Sequence, residues 1–193
     1  MIMNFQDYKY YLSSDLRSMG VNISLKSWVM DPVFRFVFLL RLFEYCNNTN
    51  KSKIIQYIVL FWFRSISVKL GFSIGPNIFG PGLAIVHYGL LILDPTTRIG
   101  KNCRIHMGVH IGGAATFVEP NMQSEYSPRI GDNVYIGPGA KIYGPVKIGN
   151  NCVVGANAVV TKSFDEEGLT IAGVPAKIIA RNGNGARVIK GAY

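Results

Sequence analysis

From Leu93 the chain sets a branched aliphatic residue at every sixth position: Ile99, Ile105 and Ile111, then Ile130, Ile136, Ile142, Ile148, Val154 and Val160. A glycine often follows, as at Gly100, Gly112, Gly131, Gly137, Gly149 and Gly155. A period of six is neither helical nor the simple alternation of a strand. Each aliphatic residue must face a shared interior from a short strand. The glycine is expected where the chain turns, since it adopts backbone angles closed to other residues. Three such faces, one hexad each, close a coil, and stacked coils bury a column of Ile and Val. The expected fold class is therefore mainly β, a parallel β-solenoid over about residues 71–180. Upstream, Ile74, Gly80 and Val86 keep the period, with a one-residue slip before Leu93. Between Ile111 and Ile130 the chain runs well beyond the single hexad the period requires. The polar and Pro content of the excess predicts a loop thrown out of the solenoid, over 113–129.

The region 1–70 differs and reads as helical. Asp31-Pro32 suits an N-cap followed by Pro at the first helical position, and VFRFVFLLRLFEYC continues helically. A second apolar stretch, IIQYIVLFWF, covers 54–63. Neither reaches the ~18 uncharged residues of a membrane span. These helices are expected to pack on each other or on the solenoid. The alternative is a peripheral membrane contact through 31–70, flanked by Lys51, Lys53, Arg64 and Lys69. The stretch 181–193 reads as a basic tail. Twenty Lys and Arg against 11 Asp and Glu give a net charge of +9, which suits an anionic partner. The basic residues are scattered, so nucleic acid is not expected as that partner. Cys46, Cys103 and Cys152 lack metal-type spacing and read as reduced thiols of a cytoplasmic protein, with no metal site.

The three histidines carry the candidate chemistry. Neutral imidazole accepts a proton near pH 7. His87 lies between Val86 and Tyr88-Gly89, at a turn where a side chain can face outward. His106 follows after one coil plus the slip, and should stack close to it. His110 closes the same hexad.

The motifs VHYGLLILDPTTRIGKNCRIHMGVHIGG, PRIGDNVYIGPGAKIYGPVKIGNNCVVGANAVVTK and AGVPAKII resemble those of the hexapeptide-repeat acyltransferases, and within them the serine acetyltransferase-like branch. The resemblance covers a little over half the chain. It implies a left-handed parallel β-helix, a homotrimer with active sites between subunits, and acetyl-CoA as co-substrate. It places the catalytic base at His87 and the amide facing the thioester at Gly113. Gly112, Gly113, Ala114, Ala156, Lys162, Gly173, Pro175, Ala176 and Lys177 become the expected CoA-binding set, and Ser73, His106, His110, Tyr126 and Ser127 the acceptor side.

Departures from the branch bear on the acceptor. The aspartate that orients the base corresponds to Ser73, and the one preceding the base to Val86. An Arg-His pair in the loop corresponds to Tyr126 and Ser127. Asp94 or a backbone carbonyl could orient His87 instead. Free serine is a zwitterion and needs a carboxylate and a cation. Without them at these positions, the expected acceptor is a sugar or polysaccharide hydroxyl, as in surface-polysaccharide O-acetyltransferases, which the short, apolar N-terminal region also resembles. Serine O-acetylation and an inactive scaffold are the alternatives.

Overall fold

The computed structural model describes residues 1–113 and 123–183, with the backbone alone at 123 and 124. Ala114, most of the expected loop and the tail from 184 lie outside the described residues. Among the described residues four helices come first: α1 (Phe5–Met19), α2 (Leu25–Met30), α3 (Pro32–Asn48) and α4 (Lys53–Leu70). Asn4 caps α1 by accepting from the Gln6 and Asp7 amides, and Gly20 ends it at φ +68°. Asp31 caps α3, its Oδ1 accepting from Phe34 N at 2.9 Å, with Pro32 at the first position as the sequence predicts.

Fourteen short strands follow among the described residues, in three faces. The first face stacks β1 (Phe72–Ser73), β3 (Leu91–Leu93), β6 (His110–Gly112), β9 (Lys141–Tyr143) and β12 (Val159–Val160). The second stacks β4 (Arg98–Ile99), β7 (Arg129–Ile130) and β10 (Lys147–Ile148). The third stacks β2 (Ala84–Ile85), β5 (Arg104–Ile105), β8 (Tyr135–Ile136), β11 (Val153–Val154) and β13 (Thr170–Ala172), closed by antiparallel β14 (Lys177–Ala180). All other pairings among these strands are parallel. Lys141 pairs Val159 one coil on, a step of three hexads, whereas His110 pairs Lys141 across a much longer stretch of chain. The excess is the expected insertion. Every six-step aliphatic residue from Leu93 on is at most 5% exposed, and Val109, Val134, Ala140, Val146, Cys152 and Ala158 fill the corners behind them.

Two details of the repeat differ from expectation. The glycine after each aliphatic residue is not what turns the chain. Positive φ falls two positions further on, at Asn102, Asn133, Asn151, Asn157 and Gly139. The glycines serve close stacking instead. A Cβ on Gly137 would meet Ala156 N at 2.8 Å, and one on Gly149 would meet Glu166 O at 2.5 Å. The asparagines also form a ladder along one corner, Asn102 Nδ2 to Asn133 Oδ1 and Asn133 Nδ2 to Asn151 Oδ1, both 2.9 Å. In the first coil the inward positions are Phe79 and Ile85, not Gly80 and Val86, because Phe79 bridges Ile99 and Ile85 pairs Ile105. The extra residues of this coil therefore collect between Ile85 and Leu91, around His87.

The helices pack on each other and on the first coils. α4 lies against β1, and α1 against β2. Arg41, which interrupts the apolar run of α3, is fully buried and fastens this layer. Its Nε donates to Asp15 Oδ2 of α1 at 2.7 Å and its Nη1 to Glu44 Oε2 at 2.9 Å. Nη1 and Nη2 also donate to the Phe79 and Gly80 carbonyls, at 3.1 and 2.8 Å. Asp15 Oδ1 accepts from the Gly82 and Leu83 amides, and Glu44 Oε1 from Asn77 N. Burial opposes the charge on Arg41, but Glu44 and Asp15 outweigh it and raise its pKa above the ordinary value.

Replacing Arg41 by Met should strand two buried carboxylates and cost about 3–5 kcal/mol. Urea unfolding monitored by circular dichroism reads this, and a loss below ~1 kcal/mol would show that the network does not fasten the layer.

Candidate active site

The surplus residues of the first coil push His87 outward at the corner between the third and first faces, and it is exposed. The His106 ring lies 6.2 Å away, centroid to centroid, one coil below, as the spacing of one coil plus the slip predicts. Tyr135, a further coil down, stands 5.0 Å from His106. His106 is partly buried, and its Nε2 has no hydrogen-bond partner among the described residues. Burial first, then Arg104 and His87, hold its pKa below the usual histidine value, so at pH 7 it stays neutral beside His87.

His87 borders a cleft of about 270 Å³, at the small end for ligand clefts. One wall is the end of α1 with the turn after it, Ser18, Met19 and Val21. The second is the α2–α3 junction, Met30 to Val33, which includes Asp31. The third is the solenoid, Ala84 to Tyr88, with Arg104. Arg104 starts β5 and pairs Ala84, yet it is only 5% exposed under the helical layer. One cleft thus gathers an imidazole, an acid and a guanidinium from three separate stretches of sequence. Sequence reasoning missed Asp31 and Arg104. Asp31 carries a strong local signal as a helix cap, which hides its second position. Arg104 carries no signal, since only the docking of the helices brings it to the cleft.

Other expected residues fall elsewhere. Within the chain Asp94 stands at a different corner from His87. Its Oδ1 accepts from Thr96 N at 2.8 Å, from the Thr96 hydroxyl and from Ser127 Oγ. Ser127 is buried at 3% exposure and belongs to that cluster, so it faces no open acceptor site within the chain. Gly113 adjoins it: a Cβ there would lie 3.3 Å from the Tyr126 carbonyl and 3.7 Å from Asp94 Oδ2. Gly112 lies beneath the Tyr143 ring, which a Cβ at that position would meet at 2.7 Å. This group marks the corner between the first and second faces. It is separated from His87 by the three-residue width of the first face, about 10 Å. Ser73 pairs Ile92 on the first face and lines a separate groove against α4. His110 lies on the same face beside Lys141, and burial with that cation lowers its pKa.

At the far end, Ala156, Lys162, Gly173, Pro175 and Lys177 are exposed. Ala176 is only 2% exposed and its amide donates to Val159 O, so its side chain belongs to the core rather than to a cofactor surface. Cys103, Cys152 and Cys46 are buried, and burial pushes the Cys103 thiol up to about 12, which rules it out as a nucleophile near neutral pH.

The family model for bacterial transferase hexapeptide (six repeats) matches residues 127–162. The serine acetyltransferase of Staphylococcus aureus is 33% identical over 123 residues, 63% of this chain and 52% of that protein. That of Mycobacterium tuberculosis is 34% identical over 116 residues, 60% of this chain and 48% of that protein. The match therefore spans about half the length of these curated relatives. The crystal structure of serine acetyltransferase in complex with coenzyme A from Brucella abortus superposes with a TM-score of 0.71 at 27% identity, covering 93% of this chain and 70% of that one.

These findings correct the expectation of a sugar acceptor. Sequence relatives and solved structures alike carry the name serine acetyltransferase. The superposition takes in nearly the whole chain, so the apolar N-terminal region does not set it apart. Asp31 and Arg104 line the cleft beside His87. The repeat, the stacked parallel faces and these likenesses support a left-handed parallel β-helix of the hexapeptide type, similar to the serine acetyltransferase-like branch of the hexapeptide-repeat acyltransferases.

Proposed function

We propose that the protein transfers acetyl from acetyl-CoA to the hydroxyl of L-serine, as an O-acetyltransferase working in the cytoplasm. The observation that carries this reading is the shared cleft of His87, Asp31 and Arg104. The names of the relatives support the same acceptor.

A hydroxyl attacks a thioester poorly while it keeps its proton. In this reading His87 takes that proton as the oxygen closes on the acetyl carbonyl, a contribution of ~10²–10⁴ in rate. Asp31 faces the ammonium of serine and Arg104 its carboxylate, so the zwitterion enters without an unpaired charge. The tetrahedral oxyanion is held by the Gly113 amide. The intermediate collapses, the C–S bond breaks, and the thiolate of CoA recovers the proton from the His87 imidazolium. No acyl-enzyme is required.

The Gly113 corner and the His87 corner stand on opposite edges of one face, so a single chain does not complete this arrangement. A homotrimer completes it, with the Gly112–Gly113 edge, Tyr126 and Ser127 of one subunit beside His87 of the next. The exposed Lys162 and Lys177 near the last coils suit the phosphates of CoA, with Gly173 and Pro175 leaving its path open. Ser73 and His110, both on the first face, would then meet the neighbouring subunit rather than the acceptor.

Thiol release from acetyl-CoA, followed with a disulfide chromophore, should depend on added L-serine. Release that is indifferent to L-serine would overturn the acceptor assignment. His87→Ala should lower kcat at least ~10²-fold while CoA binding persists, and an unchanged kcat would remove His87 from the reaction. Asp31→Asn keeps the helix cap, because Asn and Asp cap alike, but deletes the charge. It should cost about 1.5–3 kcal/mol in kcat/KM for L-serine, roughly ten- to a hundred-fold, mostly in KM. An unaltered KM for serine would leave Asp31 as a cap alone.

A further inference from the structure

The helical layer carries a surface that the transferase reading does not use. In α4, Gln56, Val59, Phe63, Ser67 and Leu70 face the protein. The opposite side exposes Ile54, Ile58, Phe61, Trp62 and Val68, with Phe61 at 66% and Trp62 at 58%. α2 buries no residue at all, and exposes Leu25 at 80% with Trp28, Val29 and Met30. The two faces are continuous, because Trp28 and Trp62 line one cleft of about 500 Å³ together with Arg35 and Lys69. A contiguous apolar surface of this kind on a water-exposed helical layer marks a contact site.

We propose that this surface seats the protein on an anionic phospholipid bilayer. Charge selects this occupant. Lys26, Lys51, Lys53, Arg64 and Lys69 are exposed around the apolar residues, and no Asp or Glu occurs between Glu44 and Asp94. Pairing the surface with a second copy would set like charges against each other, since a twofold contact uses the same patch twice. A leaflet of acidic lipids answers the cations and the apolar side chains at once. Inside the cleft, Arg35 binds the Trp28 and Val29 carbonyls through Nη1, while its Nε is buried with no partner among the described residues. A phosphodiester oxygen of a lipid headgroup between the two tryptophans supplies that acceptor. Indole rings suit the boundary between headgroups and acyl chains. No described helix is long and apolar enough to cross a membrane, so the contact lies in the plane of the surface. The surface lies on α2 and the outer side of α4. α3, within the stretch expected from sequence to make this contact, is largely buried and contributes Arg35 and Leu39 to the cleft.

The test is co-sedimentation of the full chain with vesicles of phosphatidylcholine alone and of phosphatidylcholine with phosphatidylglycerol. Binding is expected to the acidic vesicles, weakening as salt is raised. The double variant Phe61→Ser, Trp62→Ser should bind them at least tenfold more weakly, with an unchanged circular dichroism spectrum and oligomeric mass. Equal binding to both vesicles, binding to neither, or a variant whose oligomeric mass falls would overturn the proposal, the last by showing that the face joins copies of the chain. None of these readouts uses acetyl transfer, so they are independent of the acceptor assignment.

Discussion

The guanidinium of Arg41 sits where two layers of this protein meet. It is fully buried, and it binds a carboxylate on α1, a carboxylate on its own helix and two carbonyls of the first coil. A buried ion pair is weak evidence for net stability, but removing one partner is strongly unfavourable. The network therefore acts as a register lock. It fixes α1 against Gly82 and Leu83, shortly before His87, and it fixes the start of α3 through the same helix. The candidate acceptor cleft exists only because those two placements hold.

The solenoid supplies the other half. Its parallel coils leave each corner in a fixed relation to the corner below. That is why two histidines one coil apart bring their rings to 6.2 Å. A repeat this regular would present the same surface along its length. Function enters where regularity breaks, at the surplus residues around His87 and at the insertion beside Gly113. The two breaks lie at different corners of one face, and under the proposed function assembly is part of the chemistry.

The six-residue period was legible because each inward Ile or Val is repeated by its neighbours above and below. The insertion was legible for the same reason, as a gap in a strict count. The role of the glycines was not, because absence of a side chain serves a tight turn and a close approach equally well in a string of letters. Only the distances to the next coil separate the two, as at Gly137 and Gly149. The first coil reads one residue out of register because Phe79-Gly80 and Ile85-Val86 each satisfy the repeat at neighbouring positions, and the period alone does not choose between them. The acid and the cation that line the cleft at His87 were not legible, for a deeper reason. Asp31 and Arg104 are far apart in the chain, and neither has a local pattern that points to the other. Their meeting is a property of tertiary docking, and the docking hinges on an arginine that reads as a flaw in an apolar helix.

Serine lying between Asp31 and Arg104, with its hydroxyl at His87, is the central claim. A crystal structure of the full protein with CoA and L-serine tests it most directly. The predicted result is a serine hydroxyl within about 2.6–3.2 Å of a His87 ring nitrogen, its ammonium toward Asp31, and a neighbouring subunit closing the site with Gly113. Serine bound at another corner, or a His87 ring turned away from both substrates, would contradict it.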